Sequence, residues 1–193
     1  MAGKKNTIRK MKIAVSGKSG CGNTSVSRLM AEKLELAFIN FTFRSLAEEK
    51  DLNLNDVLEK AKEDDWWDRE VDRRQVSMAK KSTGCVLGSR LAIWMLKEAD
   101  LTVYLKASPQ TRAERIIRRE GGVLDEIMAY TLERDRQDRE RYLHLYDIDN
   151  DDFHFADLIL DTDNMGIAEI TSMIIDSVYQ RFRHAKKYRK NRA

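Results

Sequence analysis

The chain has 193 residues, 42% of them hydrophobic and 35% charged, with 35 basic against 32 acidic side chains. That length suits one domain with enough apolar content for a core, and a net charge of +3 does not by itself point to nucleic acid. Cys21 and Cys85 show no disulfide or metal framework and suit a reducing cytoplasm; His144, His154 and His184 lack ligand spacing and read as surface or packing residues; no apolar run approaches the ~20 residues of a membrane span.

In chain order, residues 1–10 are basic with no apolar segment behind them. They read as a disordered extension rather than a secretory signal. An apolar strand over 11–16 leads into a glycine-rich turn with Gly17, Gly20 and Gly22. A helix then opens near Asn23, with Val26, Leu29, Met30 and Leu34 on one face. Strand, turn and helix in that order fit a phosphate-binding loop, because successive N–H groups point inward and the helix N-terminus adds positive potential. The pattern G-x-x-x-x-G-K-[ST] is met at Gly17, Gly22 and Thr24, while its lysine position holds Asn23. Contacts to nucleotide phosphates are expected from Gly17, Lys18, Ser19, Gly20, Cys21, Gly22, Asn23, Thr24 and Ser25, with the Thr24 hydroxyl as a ligand of Mg²⁺. The alternative is a plain strand-to-helix connection.

A short strand over 37–40 precedes helices over 43–50, 54–62 and 67–81. Asn53 is placed to cap the second, with Asp56 in its first turn. Val71, Gln75, Met78 and Ala79 are expected on the inner side of the third. Strands over 85–87 and 101–105 flank a helix over 89–96. Ser108 then caps a helix whose first residue is Pro109 and whose end is Gly121-Gly122. A long helix over 124–145, a fifth strand over 158–160 and an amphipathic helix over 167–183 follow. The basic tail over 181–193 reads as a solubilising terminus, with RNA or acidic lipid as the alternative partner. Short strands alternating with helices predict an α/β fold with a parallel sheet covered on both faces. Ligands in such folds sit at the carboxyl ends of the strands, where 17–24, 40–44, 88–90 and the arginine-rich segment would converge.

Arginines mark those strand ends. Arg44 follows the second strand and Arg90 the third; Arg73 and Arg74 lie on the third of the helices between them. Arg112, Arg115, Arg118 and Arg119 fall on the helix after Pro109, and Arg134, Arg136, Arg139 and Arg141 on the next. A guanidinium grips phosphate oxygens two at a time, so several in one cleft suit an enzyme that holds two polyphosphates and a charged transition state. Over 133–141 acids and bases alternate, and a solvated, ion-paired helix face is the alternative for Arg136 and Arg139.

Taken together, the segments carry a resemblance. FRSLAEE around Arg44, EVDRRQVSMAK around Arg73, SRLAIWMLKEADL from Ser89 and RYLHLYDIDNDDFHFADLILDT from Arg141 resemble the short archaeal-type cytidylate kinases, within the P-loop nucleoside monophosphate kinases. R-D-x-x-D-x-x-R, at Arg134, Asp135, Asp138 and Arg141, is similar to a bacterial cytidylate kinase motif. The resemblance, over about 11–178, implies a five-stranded parallel sheet in a kinase domain over 11–180, with a helical monophosphate-binding insert at about 41–82 and a lid at about 112–142. It implies transfer of the γ-phosphoryl group of ATP to CMP or dCMP. By position Arg44 and Arg90 would hold the CMP phosphate, with Arg73 also on the substrate side. Arg134, Asp138 and Arg141 would contact the acceptor or the transferring group, Asp138 accepting from a ribose hydroxyl. Arg115 and Arg119 would be lid arginines over ATP.

Two departures stand out. Asn23 replaces the lysine that bridges the β- and γ-phosphates, and Gly88 stands where archaeal-type relatives have a glutamate near Mg²⁺. Lys18, one residue after Gly17 as in deviant P-loops, is expected to supply the missing charge, with Arg134 and Arg141 as the other catalytic groups. The alternatives are a catalytically weak nucleotide-binding protein that meets RNA or a partner through its basic ends, and a kinase for UMP or AMP. The expected protein is a cytoplasmic monomer with no membrane or nucleic-acid partner.

Overall fold

The computed structural model describes residues 8–190. Five strands, Lys12–Gly17 (β1), Ala37–Ile39 (β2), Cys85–Gly88 (β3), Leu101–Lys106 (β4) and Leu158–Asp161 (β5), form one parallel sheet in the order β2-β3-β1-β4-β5. β1 lies at its centre, in register with β3 from Lys12–Cys85 to Val15–Gly88 and with β4 from Ile13–Leu101 to Gly17–Leu105. Its sequence KIAVSG is buried on both faces, as a sheet covered on both sides requires. Ile13 and Val15 enter one layer with Val26, Met30, Ile170 and Ile174, supplied by helices Asn23–Leu34 (α1) and Ile167–Lys190 (α8). Ala14 enters the other layer with Ala79, Trp94, Tyr104 and Tyr142. Each large aliphatic side chain so buried contributes about 1.5–3 kcal/mol.

The segment between β2 and β3 folds as three helices, Phe43–Glu49 (α2), Leu54–Glu63 (α3) and Trp66–Lys81 (α4), around a small core of Phe41, Leu46 and Val71. Thr42 and Ser45 form a capping box at the start of α2, and Asn53 caps α3 by accepting from Asn55 N–H. After β3 only Ala92–Met95 (α5) is helical, shorter than the 89–96 expected. Pro109–Glu120 (α6) is capped by the Ser108 hydroxyl, which accepts from Thr111 N–H, and Leu124–Tyr146 (α7) follows the Gly121-Gly122 break.

Some expectations shift by small amounts. Met78 is 45% exposed, because α4 turns Val71, Gln75 and Ala79 inward at spacings of four and leaves Met78 on the flank. Ile8 is only 4% exposed and packs into the core, and the Arg9 carbonyl lies against Gly84, where a Cβ would collide with it. The basic stretch read as a disordered extension therefore includes packed residues at its end, while its first seven lie outside the described residues. The last helix runs on to Lys190, into the basic tail. Among the described residues no helix is long and apolar enough to cross a membrane.

Candidate active site

The loop between β1 and α1 is shaped by its glycines. Gly20 (φ 85°) must be glycine, since a Cβ there would lie 2.8 Å from the Cβ and the carbonyl oxygen of Arg112. Gly22 (φ 89°) occupies the cap position of α1 without any side-chain cap. The first N–H groups of α1 are thus left for a ligand, at the positive end of the helix. The Cys21 N–H closes the turn onto the Lys18 carbonyl at 3.1 Å. The Cys21 thiol is packed in the core, and burial pushes it up to about 11, so it stays a protonated packing group.

Asn23, at the lysine position of the G-x-x-x-x-G-K-[ST] pattern, is bound to the protein itself. Its Nδ2 donates to the Ser89 carbonyl at 3.2 Å, and its Oδ1 accepts from Ser27 Oγ at 3.0 Å. A Cβ at Gly88 would lie 2.7 Å from Ser27 Oγ and 3.2 Å from Asn23 Oδ1. Asn23 and Gly88 therefore fit as a pair: one ties α1 to the end of β3, and the other leaves the room for it. Asn40 adds to the same junction, its Nδ2 donating to the Gly88 carbonyl at 2.8 Å and to Thr24 Oγ1 at 3.4 Å.

The loop is braced from below. Arg112, 3% exposed, donates to both oxygens of Asp135 (3.1 and 2.6 Å) and to the Ser19 carbonyl at 3.2 Å. Asp135 of the R-D-x-x-D-x-x-R pattern thus faces the underside of the loop. Lys18 Nζ lies 2.6 Å from Asp151 Oδ1 and 4.0 Å from Asp135 Oδ2. Arg115 donates to Thr162 Oγ1 at 3.0 Å, to the Thr162 carbonyl, and at 3.4 Å to the carbonyls of Cys21 and Met165. Its guanidinium is a strut between the glycine loop and the turn after β5, and it also lines the cleft. Arg119 is exposed and pairs with Glu120.

One cleft of about 1320 Å³ runs from Gly17–Ser25 across the end of β3 to the α2–α4 insert and α7. It brings together Lys18, Thr24, Arg44, Arg90, Arg115, Arg119, Arg134, Asp138 and Arg141. Arg90 Nε sits 3.1 Å from Asp138 Oδ2, and Arg141 Nη1 lies 3.1 and 3.2 Å from the two Asp68 oxygens. Arg44, Arg118 and Arg134 line the cleft with no ion pair among the described residues. Arg136 and Arg139 form the solvated alternative, paired with Glu133, Glu140 and Asp149.

Arg73 is not brought into the cleft. It lies outside the cleft lining and is bound to Glu70 at 2.8 and 2.7 Å on the exposed side of α4. The helical period explains this: Asp68, Val71, Asp72 and Gln75 share the side that faces the cleft, and residue 73 falls off it. Asp68, Asp72, Gln75, Asn40 and Arg118 are cleft residues that the sequence reading did not single out as site residues. The signal for the first three was present, as polar residues at the helical spacing of an otherwise apolar inner side. Burial pushes the Asp72 carboxyl up to about 6, against the lowering effect of a hydrogen bond from Tyr146 Oη at 2.9 Å. Burial also raises Asp68, partly opposed by Arg141.

Known proteins resemble this chain over most of its length. The family model described as "Cytidylate kinase-like family" matches residues 12–164. "Cytidylate kinase 2" of Borreliella afzelii (strain PKo) is 45% identical over 175 residues, covering 89% of this chain and 98% of that protein. "Cytidylate kinase" of Pyrococcus horikoshii is 40% identical over 172 residues, covering 86% and 89%. Among solved structures, shikimate kinase from Acinetobacter baumannii in complex with shikimate superposes with a TM-score of 0.63 at 17% identity, covering 91% of this chain and 97% of that one. Deoxyadenosine kinase from M. mycoides reaches 0.51 at 14% identity over 88% and 100%. These two share the fold alone. The family match spans the glycine loop, the insert and all five strands, and relatives align over most of their own length, so the chain belongs to the cytidylate kinase-like family.

Proposed function

We propose that the protein transfers the γ-phosphoryl group of ATP to CMP or dCMP, releasing ADP and CDP or dCDP. The observation that carries this is the single continuous cleft with main-chain N–H groups at one end and guanidinium groups at the other. Relatives at 37–45% identity bear the name cytidylate kinase, which supports the choice of acceptor.

The chemistry asks little covalent help of the protein. An oxygen of the acceptor phosphate attacks the γ-phosphorus, a new P–O bond forms, the bond to the β,γ-bridging oxygen breaks, and its electron pair leaves with ADP. A phosphate monoester has its second pKa near 6, so the nucleophile is already an anion at neutral pH and needs no general base. What remains is alignment, charge neutralisation and exclusion of water. The loop amides of residues 17–25 hold the β- and γ-phosphates. Arg44 and Arg90 hold the acceptor phosphate, and Arg134 and Arg141 stand beside the transferring group. Asp138 orients Arg90 and is available to a ribose hydroxyl. Arg118 and Arg119 on α6 lie over the ATP side, while Arg115 fixes the loop they close upon. Lys18 supplies the cation that residue 23 lacks, exchanging Asp151 for phosphate oxygens on binding. The insert over 41–82 and the lid over 112–142 close to keep water out.

The residues present also suit a Mg²⁺ ion carried with the nucleotide. The Thr24 hydroxyl stands at the uncapped start of α1, and no cluster of three or more His, Cys, Asp or Glu able to hold a metal exists among the described residues. Thr24 would therefore be the protein ligand, phosphate oxygens and water completing a shell that neutralises charge on the phosphates. We place the enzyme in the cytoplasm, with its nucleotide substrates, as a monomer. A coupled assay of ADP release tests the reading, with CMP, dCMP, UMP and AMP compared side by side. Turnover highest with CMP or dCMP is expected. ATP binding without ADP release on addition of any monophosphate would overturn it.

A further inference from the structure

We infer that Gln75 selects the acceptor base, its side-chain carbonyl accepting a hydrogen bond from an exocyclic amino group, as cytosine presents at N4. The inference rests on the reading that an acceptor monophosphate occupies the insert end of the cleft.

Gln75 is 5% exposed, sits on the inner side of α4 and lines that end of the cleft. Its two polar atoms are served unequally. Nε2 donates to Asp72 Oδ1 at 3.3 Å, whereas Oε1 has no partner. Among the described residues, three buried side-chain polar atoms lack a partner: Gln75 Oε1, Arg112 Nε and Asn150 Oδ1. Of these three residues, Gln75 alone lines the large cleft. A buried acceptor without a donor is unfavourable, and a ligand N–H removes the deficit.

The direction of the amide follows from its neighbours. Asp72 accepts the Tyr146 hydroxyl on its other oxygen at 2.9 Å, and at neutral pH its carboxyl, at about 6, is ionised. A carboxylate needs a donor from Gln75. Turning the amide over would set Oε1 against Asp72 Oδ1, two acceptors face to face. The carbonyl is thereby turned away from Asp72 and buried without a donor, in a residue that lines the cleft together with Phe41 and Val71. Cytosine meets it with an N–H group. Uracil brings O4 to the same place, so two acceptors face each other and the buried carbonyl stays unpaired.

The test compares amino and keto bases as pairs, CMP with UMP and AMP with IMP. Wild type, Gln75→Met and Asp72→Asn are used, with thermal stabilisation by ADP as the check that each variant is folded. Wild type is expected to favour the amino member of each pair, by kcat/KM where it turns over and by affinity where it only binds. In Gln75→Met, which keeps the length and removes the acceptor, the CMP:UMP ratio of kcat/KM is expected to fall at least about tenfold. In Asp72→Asn, which frees the amide to turn over, the ratio is expected to narrow. A ratio unchanged in a folded Gln75→Met overturns the assignment. A ratio unchanged in Asp72→Asn alone overturns the orienting role of Asp72. A wild type that prefers AMP over IMP yet shows no CMP turnover leaves Gln75 in place and refutes only the CMP reading. A wild type with no amino preference refutes Gln75 while its CMP turnover still stands, and one that binds no monophosphate refutes both.

Discussion

The two ends of the cleft prepare for phosphate by different means. At the loop end the groups are main-chain amides, held by the backbone angles of Gly20 and Gly22 and by the Arg112 brace against Ser19. Their geometry exists before any ligand arrives. At the insert end the groups are guanidinium side chains, and two of them are held by carboxylates, Arg90 by Asp138 and Arg141 by Asp68. The first end is preorganised but poor in charge, since residue 23 is neutral. The second is rich in charge, but part of it must change partners when phosphate binds. Preorganised dipoles suit a group that reacts, because they need no rearrangement at that moment. Exchangeable ion pairs suit a substrate that must arrive and leave.

The sharpest way to break this contrast is Gly20→Ala. The new Cβ meets Arg112 at 2.8 Å in a left-handed backbone, so the cradle must distort. With strain of about 1–3 kcal/mol plus the collision, ADP affinity by calorimetry is expected to fall about 100-fold or more. Affinity within a few-fold of wild type would mean that the cradle is not preformed.

Arg90→Ala probes the other end. It removes the proposed phosphate contact and strands Asp138, and kcat/KM for CMP is expected to drop about 10- to 100-fold, mostly through KM. An unchanged KM would remove Arg90 from the acceptor clamp. Lys18→Ala asks whether the loop end borrows its cation from within. We expect kcat lower by about tenfold with ADP affinity less affected; near-parental kcat would assign the charge to arginines instead.

Asp72→Asn separates the ends by pH. The folded-state pKa of Asp72, about 6, lies above the usual carboxylate value of about 3.9, so the folded state binds this proton more tightly than the unfolded one. Its stabilising contribution is complete below about pH 4 and is lost as pH rises through about 6. Urea unfolding across this range should show the variant gaining stability relative to wild type as pH increases, and a flat difference would contradict the buried carboxyl. The smallest effect is expected for Arg73→Ala. Its pair with Glu70 is exposed and screened by solvent, and kcat/KM should stay within about twofold. A larger loss would return Arg73 to the site.

The same division runs through what could be read in advance. Strand periodicity, the glycine loop and the caps at Asn53 and Ser108 are local, and each appears where expected. Arg44 and Arg90 were identifiable as cleft residues because they follow strands, whose carboxyl ends the fold class brings together. The positions of Arg73, outside the cleft lining, and of Arg115, within it but bonded to the protein, could not be read from the sequence for one reason. A guanidinium announces its charge but not its direction, and direction is decided by which side of a helix packs and by which carbonyls lie within reach. Gln75 was legible only as a residue of an inner helix side, and Asp72 not at all, because a polar residue there becomes informative only once its partners are known.

The amino-acid order alone determined the sheet, the helices and the bend that presents main-chain amides, since these follow from near-neighbour sterics and from the burial of short apolar runs and apolar helix sides. Tertiary structure alone decided which charges face one another, that Asn23 belongs with Gly88, that Arg112 holds Ser19 from below, and that the Gln75 carbonyl is left unpaired. Asn23 lies 65 positions from Gly88 and Ser19 lies 93 from Arg112, the Gln75 amide is oriented more finely than any pattern records, and electrostatics depends on distance in space rather than along the chain.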